Sequence, residues 1–212
     1  MKLYTYFRSS ASFRTRIALN LKGLDYEHAF VDLPSGMHRE AAYLKENPQG
    51  LTPTLKTGGE NLTQSLAIIE YLDETHPKPP LLPADPIARA RVRAMALLVA
   101  CEIHPVNNLR ILKYLKGPLG QDQEAVNLWY RHWVTEGFKA LEEMVQRFSS
   151  NSGFCFSDVP TLADICLVPQ VWNARRFETD LSPYPRLSAI DEHLQSIEAF
   201  RAAAPENQPD AG

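Results

Sequence analysis

The sequence predicts an α/β domain of order βαβαββα followed by an all-helical domain. Hydrophobic residues in the N-terminal part alternate between a period of two and a period of about 3.6, which is typical of an α/β unit. A linker follows, because the stretch PKPPLLPADP holds five prolines within ten residues. Beyond it, every long segment has helical spacing. We therefore expect the α/β domain over residues 1–78, the linker over 79–87 and the helical domain over 88–212.

The elements of the first domain follow from their hydrophobic spacing. Segments with alternating apolar residues are the predicted strands, at residues 2–7, 26–33, 51–57 and 61–65. Segments with helical spacing are the predicted helices, at residues 12–21, 37–47 and 65–76. The pair Gly58-Gly59 suits the positive φ angles of a tight hairpin turn between the last two strands. Ser65 is the predicted N-cap of the third helix, since its side-chain oxygen can accept from an exposed backbone N–H.

Apolar residues at helical spacing predict long helices in the second domain. One such set is Val92, Met95, Ala96, Val99 and Ile103. Pro105 interrupts the pattern that this set begins, so we expect the helix to kink near His104. Thr161 and Asp164 form an S/T-x-x-D arrangement before an apolar run, which predicts a capping box with a structural function. The polar stretch 205–212 is expected to fray.

The composition excludes several classes of function. Lys and Arg number 22 against 25 Asp and Glu, so the net charge of −3 offers no field to attract nucleic acid or an anionic membrane. Apolar runs fall short of a membrane span, and the chain enters a strand directly, without a signal-like segment. The three cysteines have neither CxxC nor Cys/His spacing, which argues against a disulfide framework or a metal site. We interpret them as buried thiols of a soluble, cytoplasmic protein.

The stretch YFRSSASFRTRIALNLKG, residues 6–23, places hydroxyls and cations together where a strand gives way to a helix. Ser9 and Ser10 lie where the first backbone N–H groups of the helix lack partners, so either serine can simply cap it. The same position suits a thiolate, since a hydroxyl donor and the positive helix end lower the pKa of a thiol. Ala11 stands beside the serines where a cysteine is missing, so a thiol activated here must arrive with a ligand.

Two other places in the first domain have the character of a ligand site. Thr52 precedes Pro53, and a cis bond there would turn the Thr52 backbone outward to pair with an extended ligand. The alternative is an ordinary proline on an edge strand. Gln64 and Ser65 stand at the start of the third helix, where exposed N–H groups favour a carboxylate or a phosphate. For Ser65 taken alone, an N-cap without a ligand is the simpler interpretation.

Together these features resemble the glutathione transferases, and in particular their zeta class. The signature SSCSxRVRIALxLKG of that class reads SSASFRTRIALNLKG here. The resemblance extends through NPQGLTPTL, QSLAIIEYLDETHP, LLPADP, IHPVNNLRIL, TLADICLVPQVWNARRF and DLSPYPRL, and so covers nearly the whole chain. It implies a thioredoxin-like glutathione-binding domain, an all-α substrate-binding domain and a two-fold homodimer. A departure at the serines themselves is Ala11, where the class commonly has cysteine.

The resemblance also implies roles for individual residues. Ser9 would stabilise the thiolate of glutathione, with Ser10 and Ala11 lining the sulfur site. The other glutathione contacts that it implies are those of His38, Thr52, Gln64, Ser65, His104 and Asn108. The arginines that it implies for the carboxylates of a substrate are Arg8, Arg110 and Arg176. From the residues alone, His104 can also be a satisfied interior histidine, and Arg110 part of a solvated helix face.

The reaction that the resemblance implies is cis–trans isomerisation of a maleyl diacid, with glutathione as the catalyst and without a metal. The thiolate, held by Ser9 or Ser10, would add to the double bond, and Arg8 would help to stabilise the resulting enolate. Maleylacetoacetate is the first candidate substrate and maleylpyruvate is the second. General glutathione conjugation or dehalogenation is an alternative, against which the arginines count. A non-catalytic binding module is another, against which the retained ligand pattern counts.

Overall fold

The computed structural model describes residues 1–211 as two compact units. Unit 1 comprises residues 1–80 together with residues 195–211, and unit 2 comprises residues 81–194. The first boundary falls within the expected linker. The second boundary, between residues 194 and 195, was not expected. We expected residues 195–211 to belong to the helical domain over 88–212, and the polar stretch at their end to fray.

The segment of residues 195–211, which we call the closing segment, is ordered by burial and hydrogen bonds. It contains helix α9, Glu198–Arg201, and a 3-10 turn, Pro205–Asn207. Its side chains Phe200, Ala203 and Ala204 are buried. The Asn20 amide donates to the Ala199 carbonyl oxygen at 3.0 Å. Apolar burial therefore retains this segment in unit 1 although much of its sequence is polar.

The sheet of unit 1 has four strands in the order β2-β1-β3-β4. The strands are β1 Lys2–Thr5, β2 Glu27–Phe30, β3 Thr54–Thr57 and β4 Glu60–Thr63. Strand β1 runs parallel to β2 and antiparallel to β3, and β3 runs antiparallel to β4. Gly58 and Gly59, at φ angles of 59° and 87°, make the β3–β4 turn, as predicted.

The helices of unit 1 complete the predicted order βαβαββα. They are α1 Ser10–Leu21, α2 Ala41–Leu44 and α3 Ser65–Thr75. A 3-10 turn, Met37–Arg39, precedes α2, so the helix predicted over residues 37–47 is interrupted. The interruption lies at Glu40, whose ψ of 147° is extended.

The core of unit 1 lies between the sheet and helices α1 and α3. Leu3 of β1 is the register partner of Leu55 of β3, and both are fully buried. Phe13 and Ile17 supply the buried face of α1, and Leu72 belongs to that of α3. The sheet and the two helices therefore fix where the β1–α1 and β4–α3 connections emerge.

Unit 2 is built from helices, as predicted. They are α4 Pro86–Leu97, α5 Leu109–Lys116, α6 Gln123–Phe148, α7 Leu162–Arg176 and α8 Pro185–Gln195, the last of which ends at the boundary of the closing segment. Where the sequence predicts a kink, before His104, the helix changes its type. Helix α4 passes into a π-helical segment, Leu98–Ile103, and the His104 N–H donates to the Val99 carbonyl oxygen at 2.9 Å. The helix then ends, because Pro105 has no N–H with which to continue it.

The π-helical segment packs closely against α6. A Cβ atom at Gly137 of α6 would lie 2.3 Å from the side chain of Ile103, so this crossing requires glycine. Cys101 lies in the same π-helical segment and is exposed, which differs from the expected burial. Cys155 and Cys166 are buried as expected, and burial raises the pKa of the Cys155 thiol. Within residues 1–211, helices that combine the length and the apolar character of a membrane span do not occur.

Candidate functional site

The connection between β1 and α1 presents a serine hydroxyl at a helix N-terminus. Ser9 is the N-cap of α1, and its Oγ accepts a hydrogen bond from the Ser12 N–H at 3.2 Å. The Ser9 N–H donates to the Tyr6 carbonyl oxygen at 3.0 Å, which closes a turn over residues 6–9 that we call the serine turn. A hydroxyl that accepts in this way keeps its own proton to donate. Ser9 can therefore cap the helix and bind an anion at the same time.

The neighbours of Ser9 differ in accessibility. Ser10, the first residue of α1, is only 6% exposed, whereas Ser9 and Ala11 are half-buried. The half-buried hydroxyl of Ser9 is therefore better placed than the buried one of Ser10 to meet a ligand. Arg8 is exposed beside it, donating through Nε and Nη2 to the Tyr6 hydroxyl at 3.2 and 3.0 Å. Its guanidinium carbon lies 5.0 Å from the centroid of the Phe7 ring.

Arg16, by contrast, is a fully buried arginine of α1. Its guanidinium donates to the carbonyl oxygens of Phe7 and Ala203, each at 3.0 Å, and to the Thr5 hydroxyl at 3.1 Å. Burial lowers the pKa of Arg16 to about 10, which leaves the side chain cationic at neutral pH. Arg16 therefore binds backbone and hydroxyl oxygens around the start of α1.

The second part of the candidate site precedes strand β3. The Thr52–Pro53 peptide bond is cis, and Thr52 is buried. The Thr52 hydroxyl oxygen is buried without a hydrogen-bond partner among the described residues. Leu51, just before it, is fixed through its carbonyl oxygen, which accepts from the Tyr43 hydroxyl at 2.6 Å and from the Asn47 amide at 2.7 Å. The backbone leading into Thr52 is therefore firmly positioned.

The third part is the start of α3. Gln64 occupies the N-cap position there and Ser65 is the first helical residue, so the prediction that Ser65 is the N-cap is wrong. The φ and ψ angles of Gln64 are 68° and 114°, a combination that costs a non-glycine residue about 1–3 kcal/mol. The Gln64 amide nitrogen donates to the Gln49 side-chain oxygen at 2.8 Å. Sequence reasoning missed Gln49, although it lies within the NPQG motif.

The first turn of α3 is suited to a carboxylate. The Ile68 N–H makes the first helical hydrogen bond, to the Gln64 carbonyl oxygen at 3.0 Å. The N–H groups of Ser65, Leu66 and Ala67 precede it and thus have no carbonyl partner within the helix. The first turn has no acidic side chain of its own to neutralise the positive end of the helix dipole. His38 is half-buried in the 3-10 turn before α2.

In unit 2, three of the predicted residues cluster along the chain after the π-helical segment. His104 follows that segment directly and is half-buried. Asn108 is the N-cap of α5, and its side-chain oxygen accepts from the Arg110 N–H at 3.1 Å. The Arg110 side chain is exposed. Asn107, in contrast, is buried and donates to the Tyr130 carbonyl oxygen at 3.2 Å.

Arg176, the fourth predicted residue of unit 2, ends helix α7. Its exposed guanidinium lies 5.1 Å from the centroid of the Phe177 ring. That ring stacks on Tyr130, with centroids 3.6 Å apart and planes 6° apart. Burial raises the pKa of Tyr130, and the charge of Arg176 acts in the opposite direction. The neighbouring Arg175 pairs instead with Asp191.

The predicted capping box at the start of α7 is present and structural. The Asp164 carboxylate accepts from the N–H and the hydroxyl of Thr161 and from the Cys155 N–H, each at 2.7 Å. Asp164 is fully buried, and this burial raises its pKa. Groups of three or more side chains suited to hold a metal ion are absent from residues 1–211.

A βαβαββα unit with a serine at the start of its first helix, followed by an all-helical unit, defines the class of the glutathione transferases. Family models agree with this assignment. The model of the glutathione S-transferase N-terminal domain matches residues 8–75, and that of the C-terminal domain matches residues 127–190. The chain belongs to the glutathione S-transferase family.

Within that family, the chain is similar to isomerases of maleyl compounds. Maleylacetoacetate isomerase of Pseudomonas aeruginosa is 49% identical over 213 residues, which cover 99% of this chain and 98% of the relative. A solved holo structure of maleylpyruvate isomerase, a bacterial zeta-class glutathione S-transferase, is 50% identical with a TM-score of 0.98 and covers 100% of both chains. The resemblance to the zeta class is thereby confirmed.

A third similar structure carries ligands in its active site. It is maleylacetoacetate isomerase from Anaeromyxobacter dehalogenans 2CP-1, with bound dicarboxyethyl glutathione and citrate. It is 42% identical, with a TM-score of 0.89, and the match covers 100% of this chain and 97% of that chain.

Proposed function

We propose that this protein is a glutathione-dependent cis–trans isomerase that converts maleylacetoacetate to fumarylacetoacetate. The observation that carries the proposal is the Ser9 hydroxyl, half-buried at the N-terminus of α1 and beside an alanine rather than a cysteine. Such a site stabilises a thiolate and supplies none, so the thiol comes from glutathione. The similarity to isomerases that act on maleyl compounds supports the same activity.

Three parts of unit 1 bind glutathione in this proposal. Ser9 donates its hydroxyl proton to the thiolate, with Ser10 and Ala11 nearby in the chain. The Thr52 backbone pairs with the cysteinyl part of the tripeptide. The Gln64 side chain and the N–H groups at the start of α3, from Ser65 onward, bind the γ-glutamyl carboxylate, since this helix end has no anion of its own. His38, His104 and Asn108 supply further glutathione contacts.

The reaction is a reversible addition. The thiolate attacks one carbon of the maleyl double bond, and the electron pair moves onto the conjugated carbonyl oxygen as an enolate. The former double bond is now single and rotates. Collapse of the enolate expels the thiolate and restores the double bond in the trans geometry, so glutathione is regenerated. A dicarboxyethyl group on glutathione, as bound by the Anaeromyxobacter dehalogenans relative, is the kind of thioether that thiol addition to a butenedioate gives.

Arginines recognise the carboxylates of the substrate in this mechanism. Arg8, Arg110 and Arg176 are all exposed, and guanidinium groups bind carboxylates through paired charge-assisted hydrogen bonds. Arg8 also stabilises the enolate, because it stands next to the serine that holds the thiolate. Substrates that lack carboxylates, such as simple halides, make no use of these cations, which favours isomerisation over general conjugation or dehalogenation.

The decisive experiment is a turnover assay of maleylacetoacetate and maleylpyruvate, each with and without glutathione. We expect fumaryl products only when glutathione is present, and a higher kcat/KM for maleylacetoacetate. Turnover without glutathione would overturn the mechanism, and activity confined to maleylpyruvate would reverse the ranking of the substrates. Failure to bind a glutathione affinity column would favour a non-catalytic module.

We also propose that the protein is a cytoplasmic homodimer. The support is its membership of a family that the sequence resemblance associates with two-fold dimers. Light scattering coupled to size-exclusion chromatography tests this directly, with an expected mass of twice 23.9 kDa. A mass equal to that of a single chain would contradict it.

A further inference from the structure

The serine turn is bound by a residue that lies far along the chain. The Phe7 N–H donates to Oδ2 of Asp210 at 3.0 Å, across a separation of 203 residues. Phe7 lies within the turn over residues 6–9, two positions before Ser9. The Phe7 N–H is therefore satisfied by a carboxylate of the closing segment.

The other side of the same turn is bound by a cation. Arg16 donates to the Phe7 carbonyl oxygen at 3.0 Å and to the Tyr6 carbonyl oxygen at 3.4 Å. Through Nε it also donates to the carbonyl oxygen of Ala203, in the closing segment. The N–H of Phe7 thus donates to an anion, Asp210, and its carbonyl oxygen accepts from a cation, Arg16. Asp210 belongs to the closing segment, and Arg16 is hydrogen-bonded to it.

The closing segment is ordered well enough to hold Asp210 in place. Gln208 is buried, and its amide nitrogen donates to the carbonyl oxygens of Ala202 and Ala204 at 2.8 and 3.0 Å. These bonds fold the backbone before Asp210 back onto the segment itself. The backbone next to Asp210 is consequently held in place by hydrogen bonds within the closing segment.

We propose that Asp210 is a positioning residue for the thiolate site, acting through the Phe7 peptide on Ser9. This inference rests on the proposed function. Asp210 fixes the path of the turn, and the turn sets the direction in which Ser9 presents its hydroxyl proton to the sulfur of glutathione. A donor displaced by a fraction of an ångström stabilises a thiolate poorly, so the pKa of the bound thiol reports the position of the turn.

Two effects of Asp210 have opposite signs and can be separated. As a hydrogen-bond acceptor it orders the turn and lowers the pKa of the bound thiol. As a nearby negative charge it would raise that pKa by repelling the thiolate. Asp210→Asn removes the charge and keeps an acceptor oxygen, whereas Asp210→Ala removes both. The exposed Glu206, in the same segment, gives the matched control Glu206→Gln, which also removes one negative charge.

The test is the ultraviolet absorbance of the thiolate in the glutathione complex, titrated against pH, together with kcat for isomerisation. We expect Asp210→Ala to raise the pKa of the bound thiol and to lower kcat by about 10- to 100-fold. Asp210→Asn and Glu206→Gln should stay close to the wild type. If Asp210→Asn and Asp210→Ala both lower the thiol pKa, charge is the dominant effect and the positioning role is wrong.

Two further measurements keep the outcomes distinct. Hydrogen exchange at the Phe7 and Ser9 amides without glutathione should accelerate in Asp210→Ala and change little in Asp210→Asn. A lower Tm with unchanged thiol pKa, kcat and amide exchange would show a purely structural residue and overturn the proposal. If the wild-type protein forms no thiolate with glutathione, the proposed function itself fails, whatever the amide exchange shows.

Discussion

Helices α1 and α7 both begin at a hydroxyl residue, but their N-termini are completed in different ways. At α7, the buried Asp164 carboxylate accepts from Thr161 twice and from Cys155 once, so the donors around the helix start are satisfied inside the core. At α1, the half-buried Ser9 caps a single N–H and keeps a hydroxyl proton available. One helix start completes a core and the other leaves a donor for a ligand.

The start of α3 extends the contrast. Gln64 makes no capping hydrogen bond through its side chain within residues 1–211, and its backbone is strained. The strained backbone of Gln64 and the uncapped N–H groups after it both reduce the stability of the folded protein. Neither is expected at a helix start that serves stability alone. The same sequence pattern, a polar residue before an apolar helical run, therefore serves structure where an internal anion completes the helix start and serves ligand binding where none does.

The largest expected effect belongs to Asp164. Asp164→Ala should lower the free energy of unfolding by about 3 kcal/mol or more, because three buried donors lose their acceptor. Denaturant unfolding measures this loss, and kcat per folded molecule should be unchanged. The exposed Asp158 provides the control Asp158→Ala, for which we expect little change in stability. If Asp164→Ala lowers kcat at an equal folded fraction, the start of α7 also serves activity and does not differ from that of α1 in this respect.

Ser9 should show the opposite pattern. Ser9→Ala should lower kcat by about 100-fold, since it removes a donor from the thiolate. Its cost to stability should be only about 1 kcal/mol, the usual cost of a lost N-cap. Steady-state kinetics and thermal unfolding measure the two effects, and the buried Ser10 provides the control Ser10→Ala. If Ser10→Ala proves to be the inactive variant, the thiolate belongs to Ser10.

The C-terminal end of α7 carries two neighbouring arginines, Arg175 and Arg176, with different expected functions. Arg176→Ala should raise the KM of the maleyl substrate about tenfold, because a cation for its carboxylate is lost, and should leave the KM of glutathione unchanged. Arg175→Ala is the matched control, since Arg175 pairs with Asp191. Loss of glutathione affinity in Arg176→Ala would show that Arg176 binds glutathione rather than the maleyl substrate.

The smallest effect is expected at Gln64. Gln64→Gly should increase the free energy of unfolding by up to about 1 kcal/mol, because glycine adopts positive φ without strain. The same change should weaken glutathione binding, which calorimetry measures. Glu178, with a φ of 54°, gives the control Glu178→Gly, which should relieve strain without altering glutathione affinity. If wild type and Gln64→Gly bind glutathione equally well, the strained backbone of Gln64 does not serve glutathione binding.

Local patterns were sufficient to predict the order of elements, the Gly58-Gly59 turn and the capping box of Asp164. Each depends on residues within a few positions of one another, where spacing and backbone preference decide the structure. The serines at the start of α1 were recognisable for the same reason. The N-cap at Gln64 was not, because glutamine is not a typical N-cap residue and its positive φ of 68° is uncommon outside glycine.

Features that depend on distant partners were not predictable from local patterns. The closing segment owes its place in unit 1 to contacts of Asn20 and Arg16 with residues nearly the whole chain away. The Tyr130–Phe177 stack beside Arg176 likewise joins two helices. The π-helical segment before His104 depends on close packing against Gly137, and spacing alone does not distinguish it from a kinked α-helix.

Unit 1 is formed by two separate stretches of the chain, so it cannot be completed until the second stretch has been synthesised. Synthesis proceeds from the N-terminal side, so the residues of the serine turn emerge before unit 2 and Asp210 emerges after it. Until then, the Phe7 N–H lacks its carboxylate and Arg16 lacks the Ala203 carbonyl oxygen. The thiolate site therefore reaches its final form only after unit 2 has been made, although its serine is made before unit 2.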